Sequence, residues 1–348
     1  IKKGEYSIEF TANELLDQIK RLLQHPNLAS KTWVTNQYDH YVQGNTALAM
    51  PDNAGVVRVD EESGLGVALA TDSNSRFAKL NPRQGAVLSL VEAYLNVACT
   101  GSNPLAITDC LNFSNPEKPE LMWQLVEAIE GLADACYQLE VPVTGGNVSL
   151  YNATGTEAIN PVPSCGVLGV IQDVKNAAPS CFMNPDKSIY LIGETKEELD
   201  GSVYADVMHN SLGGQPPVVD LTIIQKTKDI LIDLINSKVI EGVHDLSQGG
   251  LAASLFEACS RIGVGCSVDL AKVNKNNVFA LFSESAGRVL VESVDDVSVE
   301  EKLSNSGIPF VKIGQTTSGN DLYFENIGSL NIQELKELNN KVIEGFLQ

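Results

Sequence analysis

Apolar residues return at helical spacing in several long stretches and gather in strand-length runs between them, so the chain reads as α/β or α+β. Leu15, Ile19, Leu22 and Leu23 share one face of a helix predicted over Glu9–Leu23 and ended by Pro26. A Gly-, Asn- and Asp-rich stretch follows, with strands predicted at Val56–Val59 and Gly66–Ala70. Val87, Val91, Tyr94, Leu95 and Ala98 predict a buried helix over Ala86–Cys99, with Gly101 as its stop. A strand over Leu105–Thr108 then meets Asp109 and a polar loop, Asn112–Pro119. The next helix, Glu120–Leu139, carries the stripe Leu121, Leu125, Ile129, Leu132 and Cys136. Strands at Val141–Thr144 and Val148–Tyr151 flank Gly145-Gly146-Asn147, and Gly166–Ile171 reads as one more strand.

Periodicity fades over Asp173–Lys187, which predicts a linker. Beyond it come strands at Ser188–Ile192, Gly265–Leu270, Phe279–Phe282, Arg288–Val291, Phe310–Ile313 and Leu322–Phe324. Helices are predicted there at Leu221–Ser237, Leu246–Arg261 and Ile332–Phe346. With 348 residues the expectation is two domains: a lead-in over 1–45, a first domain over 46–174, the linker over 175–187 and a second domain over 188–348.

Composition narrows the partners. Lys plus Arg number 24 against 44 for Asp plus Glu, a net charge of −20, which argues against nucleic acid or an anionic membrane surface. An anionic ligand would need backbone N–H groups, helix N-termini or a divalent cation rather than a field of lysines. No apolar run is long enough to cross a membrane, and no signal-peptide pattern follows Ile1. The start at Ile1 suggests a piece of a longer chain. The seven cysteines are scattered and never in a CxxC pattern, so they read as reduced, mostly buried thiols of a cytoplasmic protein.

Four segments carry candidate chemistry. In Thr144-Gly145-Gly146-Asn147-Val148-Ser149 the glycines allow close backbone approach, and Asn147 offers a hard oxygen suited to Mg²⁺. A tight hairpin turn explains the same residues. Asp109, at the end of a strand, faces a ligand crevice or begins an Asx turn. In His244-Asp245-Leu246-Ser247-Gln248-Gly249-Gly250, Asp245 or Ser247 can cap a helix whose first-turn N–H groups would suit an anion; a capped, closely packed helix is the plainer reading. Phe282-Ser283-Glu284-Ser285 lies before Arg288, as a ligand loop or an ordinary hairpin connection.

Taken together, Gln37-Tyr38-Asp39-His40-Tyr41-Val42-Gln43, the run AITDCLNFSNPEKPE from Ala106, TGGNVSLYN from Thr144, HDLSQGGLA from His244 and FSES from Phe282 resemble the phosphoribosylformylglycinamidine synthase family. The likeness is to the C-terminal half of its small, multi-subunit bacterial type and extends over nearly the whole chain. It implies a PurM-like fold of an N-terminal mixed-sheet domain that pairs into a barrel and a C-terminal α/β domain. It also implies an ATP-dependent ligase that joins formylglycinamide ribonucleotide and ammonia, with Mg²⁺, in purine biosynthesis. The expected partners are the N-terminal half of the same enzyme, a glutaminase subunit and a small third subunit.

Residue by residue, the resemblance implies ATP contacts at Asp109 and Gly146, a Mg²⁺ ligand at Asn147 and a substrate contact at Ser149. Asp72, Asp245 and Glu284 are candidates for a second, non-catalytic nucleotide site. The family's catalytic histidine belongs to an HNHPS-like motif absent from this sequence, so the chain alone is expected to be inactive and to self-associate as a homodimer. Residues Ala70-Thr71-Asp72-Ser73-Asn74-Ser75-Arg76-Phe77 depart from the family's usual ATDCNPRY. A nucleotide-binding half without turnover, or another PurM-like enzyme such as a selenophosphate synthetase, thiamine-phosphate kinase or hydrogenase maturation factor, are the competing readings.

Overall fold

A computed structural model of the chain describes residues 6–346. The lead-in holds helices α1 (Ala12–Leu22) and α2 (Thr32–Thr35). Thr11 and Glu14 close a reciprocal capping box at the start of α1, and Leu15, Ile19 and Leu22 turn its apolar face inward.

The first unit runs β1 (Thr46–Leu48), β2 (Gly55–Arg58), β3 (Gly66–Asp72), α3 (Ser75–Leu80), α4 (Pro82–Cys99), β4 (Asn103–Asn112) and α5 (Pro119–Leu139). It continues through β5 (Val143–Ser149), the small hairpin β6 (Ala153–Thr154) and β7 (Glu157–Ala158), and β8 (Val162–Ile171). Its sheet has the order β1-β2-β3-β8-β4-β5. All pairs are antiparallel except β4 with β5, which run parallel because α5 carries the chain back between them.

Helices α4 and α5 pack on one face of this sheet, where Ala68, Ala70, Ile107, Leu111 and Val167 are buried with Leu90, Val91, Tyr94, Leu125 and Leu132. The opposite face is bare: the register partners Leu69 and Leu168 are both exposed there. The sheet is open, with β5 as one edge.

The second unit runs β9 (Ser188–Ile192), α6 (Val203–His209), α7 (Leu221–Asn236), β10 (Ile240–Leu246), α8 (Gly250–Ser260), β11 (Gly265–Val268) and α9 (Asn277–Phe282). Then come β12 (Arg288–Ser293), α10 (Asp296–Ser306), β13 (Phe310–Thr317), β14 (Asp321–Phe324), β15 (Gly328–Asn331) and α11 (Ile332–Gly345). The sheet order is β10-β12-β9-β13-β11-β14-β15.

Several expectations are corrected. Phe279–Phe282 forms the end of α9, not a strand; Asn276 caps it through the N–H of Val278. Strand β10 continues through Leu246, so the helix expected from Leu246 begins only at Gly250. The Asp173–Lys187 stretch between the two units packs down: Ala178, Cys181 and Phe182 are buried, and the N–H groups of Met183 and Asn184 donate to the Glu292 carboxylate. Helix α10 escaped the periodicity because only Val299 and Leu303 of it are buried.

The two units are tied by an ion pair across this segment. The Arg261 guanidinium grips the Asp52 carboxylate with both nitrogens, Nη2 to Oδ2 at 2.7 Å, and the N–H of Ser180 donates to Asp52 Oδ1 at 2.9 Å. The Asp52 side chain is fully buried. Removing the cation strands a buried charge, so Arg261→Ala should lower unfolding free energy by about 3 kcal/mol in a urea titration. Adding Asp52→Asn to that variant should restore part of the loss, because the amide keeps the acceptor for Ser180 without the charge.

Candidate active site

The residues singled out at the β4–β5 edge do come together, but not in a turn. Val143–Ser149 is one continuous strand, so the hairpin reading of Gly-Gly-Asn and the separate strand Val148–Tyr151 are both overturned. In the parallel register Asp109 pairs with Gly146, Cys110 with Asn147, and Asn112 with Ser149. The glycine at 146 is required by sterics. A Cβ there would lie 2.4 Å from the Asp109 carboxylate, which rests directly over this backbone.

Side chains alternate along a strand. Asp109 and Gly146 therefore sit on the helix-covered face, next to Cys165 in register, while Asn147, Ser149 and Cys110 belong to the bare face. The four residues straddle the sheet edge rather than lining one wall. Burial holds the Asp109 carboxyl above its usual range. Ser149 is oriented by a residue that the sequence reading passed over: Asn152 Nδ2 donates to Ser149 Oγ at 3.1 Å and to Phe113 O at 3.0 Å. Its signal was the return of a second Asn five residues after Asn147 in the same motif.

Asp72 and Asp245 converge elsewhere, around a carboxylate that periodicity concealed. Glu92, in the middle of the apolar α4, is buried between them, and Asn96 stands one turn further on. A charged residue inside an otherwise apolar helical run, with Asn at i+4 on the same face, was the available signal. Burial raises the Asp72 carboxyl to about 7, and the Glu92 carboxyl is also pushed well up, first by burial and then by Asp72 and Asp245.

Asp72 Oδ1 and Asn96 Oδ1 are buried without a hydrogen-bond partner among the described residues. Beside them lies a cavity of about 590 Å³ bounded by Lys31, Asp52, Glu92, His244, Asp245 and Arg261 among others. His244 is buried at the edge of this cavity; burial pulls its imidazole down, but hydrogen bonds to Asp245 and Glu257 prevail and hold it at about 10.

The helix start after Gly249 offers no anion site, because the chain fills it. Glu284 Oε1 accepts the N–H of Gly249 and of Val203, each at 2.8 Å. Neither Asp245 nor Ser247 caps α8; its N-cap is Gly249, at φ +81. Glu284 thus acts as a clamp. Burial lifts its carboxyl to about 7, and Oε2 has no partner among the described residues. Glu284 shares a small cavity with Glu92 and Asp245, separate from the large one.

Donor chemistry tests the fit of a magnesium ion at each place. Mg²⁺ takes near-octahedral oxygen ligands and is held by one or two carboxylates plus phosphates and water. At β5 this chain supplies the Asn147 amide oxygen, with Asp109 on the other face, so that set is partial. At Asp72, Glu92, Asn96 and Asp245 the oxygens are hard, and Asp72 Oδ1 and Asn96 Oδ1 are buried without a partner among the described residues, but Asp72 and Glu92 hydrogen-bond each other, so this set too is partial. Among the described residues no three His, Cys, Asp or Glu side chains are placed to hold a metal ion together, so at either place an ion would depend on water and phosphate for most of its shell.

The comparisons with known proteins follow the same lines. Residues 51–171 match the N-terminal domain of AIR synthase related proteins, and residues 184–325 match the C-terminal domain. The chain belongs to the AIR synthase-related family. Within this family it is 51% identical over 326 residues to phosphoribosylformylglycinamidine synthase subunit PurL of Renibacterium salmoninarum, covering 92% of this chain and 42% of that one. It is 48% identical over 339 residues to the same subunit of Streptomyces coelicolor, covering 97% and 45%. The chain therefore spans less than half the length of these curated relatives.

Among solved structures, T. maritima PurL complexed with FGAR superposes with a TM-score of 0.75 at 20% identity, over 94% of this chain and 54% of that one. T. maritima PurL complexed with ATP gives 0.69 at 19% identity, over 93% and 54%. These likenesses establish the PurM-like fold.

The raised carboxyls set a pH dependence. A carboxyl with a higher pKa folded than unfolded contributes stability that is complete below the unfolded value and lost as pH rises through the folded one. For Asp72 that window runs from 3.8 to about 7. In metal-free buffer the melting temperature should fall between pH 5 and pH 8, and Asp72→Asn should flatten that slope in scanning calorimetry.

Proposed function

We propose that this chain is the C-terminal, ATP-side half of a phosphoribosylformylglycinamidine synthase acting in cytoplasmic purine biosynthesis. The observation that carries the reading is the close approach of the Asp109 carboxylate to Gly146, on an edge strand whose next residue offers Asn147. The domain limits proposed are 46–174 and 188–348.

In the reaction, the amide oxygen of formylglycinamide ribonucleotide attacks the γ-phosphoryl group of ATP and releases ADP. Ammonia then displaces the phosphate and loses protons, giving the amidine. Phosphoryl transfer of this kind relies on positioning and charge stabilisation more than on covalent chemistry from the protein. Asp109 and Gly146 contact the nucleotide. Backbone groups on the free side of edge strand β5 supply donors to phosphate without lysines. Ser149, held by Asn152, contacts the ribonucleotide. Mg²⁺, when bound, would neutralise phosphate charge; Asn147 would offer it one oxygen.

The bare face of the first sheet, around Leu69 and Leu168, is where the N-terminal half would pair to complete a barrel and bring the catalytic histidine. In isolation the chain is expected to be inactive and to pair through that face with a second copy. The cavity beside Glu92 and Asp245 is proposed as the second nucleotide site. Asp245 lines it directly, Asp72 backs it through Glu92, and Glu284 does not line it.

The test is steady-state kinetics on the complete enzyme. Asn147→Ala and Asp109→Asn should each lower kcat/KM for ATP by tenfold or more, with the melting temperature unchanged within about 2 °C. Wild-type kinetics in both variants would overturn the site. A half that binds nucleotide without turnover would show the same binding loss with no catalytic activity to lose.

A further inference from the structure

Strand β5 ends on Ser149, and the chain then doubles back. Tyr151 takes φ +62, a conformation that bulky side chains rarely adopt, and the turn returns the Asn152 side chain to Ser149. This turn is fastened to the loop that leaves β4. The N–H of Phe113 donates to Ser149 O at 2.9 Å, that of Tyr151 to Ser114 O at 3.1 Å, and that of Asn152 to Phe113 O at 3.2 Å. Phe113 is buried, so its carbonyl is a firm point of attachment.

These partners decide which end of the Asn152 amide faces which atom. Nδ2 lies 3.0 Å from Phe113 O and 2.9 Å from Ser149 O. Both are carbonyl oxygens, which only accept, so the amide nitrogen has to stand there. Turned over, Oδ1 would oppose two acceptors. The same nitrogen donates to Ser149 Oγ at 3.1 Å. The amide oxygen is 3.3 Å from Ser149 Oγ, beyond the usual reach of an O–H···O bond. The serine oxygen is therefore already engaged as an acceptor inside the protein, and its own proton is left to point outward. Ser149 is half-buried and shares the bare sheet face with Asn147.

We propose that Asn152 is a positioning residue that fixes the direction of the Ser149 hydroxyl, so that Ser149 meets the ribonucleotide as a hydrogen-bond donor to a phosphate or carbonyl oxygen. This rests on the function proposed above and specifies what Ser149 grasps. A neutral donor gives an anionic or carbonyl oxygen a partner without drawing on a cation, which suits a chain with a net charge of −20.

The experiment is isothermal titration calorimetry on the complete enzyme with formylglycinamide ribonucleotide and, separately, with ATP, alongside steady-state turnover. Asn152→Asp keeps the shape but puts an acceptor where the donor was, which would draw the Ser149 proton inward. It should weaken ribonucleotide binding about tenfold and leave ATP binding within about twofold of wild type. Ser149→Ala should do the same. In the Ser149→Ala background, adding Asn152→Asp should cost less than about twofold more, because no hydroxyl is left to aim. Asn152→Ala, read in the same cycle, covers the case in which the aspartate disturbs the turn. Additive losses in both cycles would overturn the proposal, as would an equal loss of ATP binding, since a residue that merely shapes the loop gives either result. Ribose 5-phosphate separates the two acceptors: a loss of its binding in Ser149→Ala assigns the contact to phosphate, and unchanged binding assigns it to a carbonyl. A wild-type enzyme that binds the ribonucleotide without turning it over would sink the proposed function and leave the cycles to judge Asn152; one that does not bind it would sink both.

Discussion

The structure depends on one helix with no side facing water. Helix α4 lies against β3 and β8, is flanked by α5 and α7, and touches β10 of the second unit. Nearly all of its residues beyond the first turn are buried, so each polar side chain must be answered from inside. Ser89 does this locally, donating to Gly85 O and accepting the N–H of Asn74. Asn96 Oδ1 is not answered, whereas the Glu92 carboxyl is held against Asp72 and Ser247. A carboxyl crowded by burial and by other carboxylates keeps its proton more readily. Glu92 therefore ties α4 to Asp72 of the first unit and to Asp245 and Ser247 of the second.

Electrostatics elsewhere follow from the same shortage of cations. A chain this acidic cannot offer phosphate a cluster of lysines. What it has is strand-edge backbone at β5 and carboxylates and amides that suit a divalent ion. Two arginines are engaged in structure: half-buried Arg261 holds Asp52, and buried Arg288 is enclosed with the carbonyl groups of Ser283 and Ser285.

Much of the fold was legible because α1, α5 and α7 have strong apolar periodicity, α4 is a helix-length run that is apolar nearly all round, and β3, β9 and β12 contain short continuous apolar runs. What periodicity misjudged was short or polar: α9 was read as a strand because Val278–Phe282 is a brief apolar run, where length gives little discrimination. Residues of the candidate site were legible as residues but not as an arrangement. Gly-Gly-Asn has the composition of a turn, and only the parallel pairing of β4 with β5 makes it a strand. The role of Glu92 was hidden because its partners, Asp72 and Asp245, come from distant parts of the chain.

The contact of Asp109 with Gly146 also bears on how β5 is kept in place. An edge strand pairs along one side alone and is prone to slide. The smallest slide that keeps every side chain on its proper face is two residues. It would bring either Thr144 or Val148 beneath the Asp109 carboxylate, where there is no room even for one methyl group. The carboxylate is thus a steric key for the strand, accepting glycine and rejecting the misaligned alternatives, so that the correct alignment is proofread as the sheet closes.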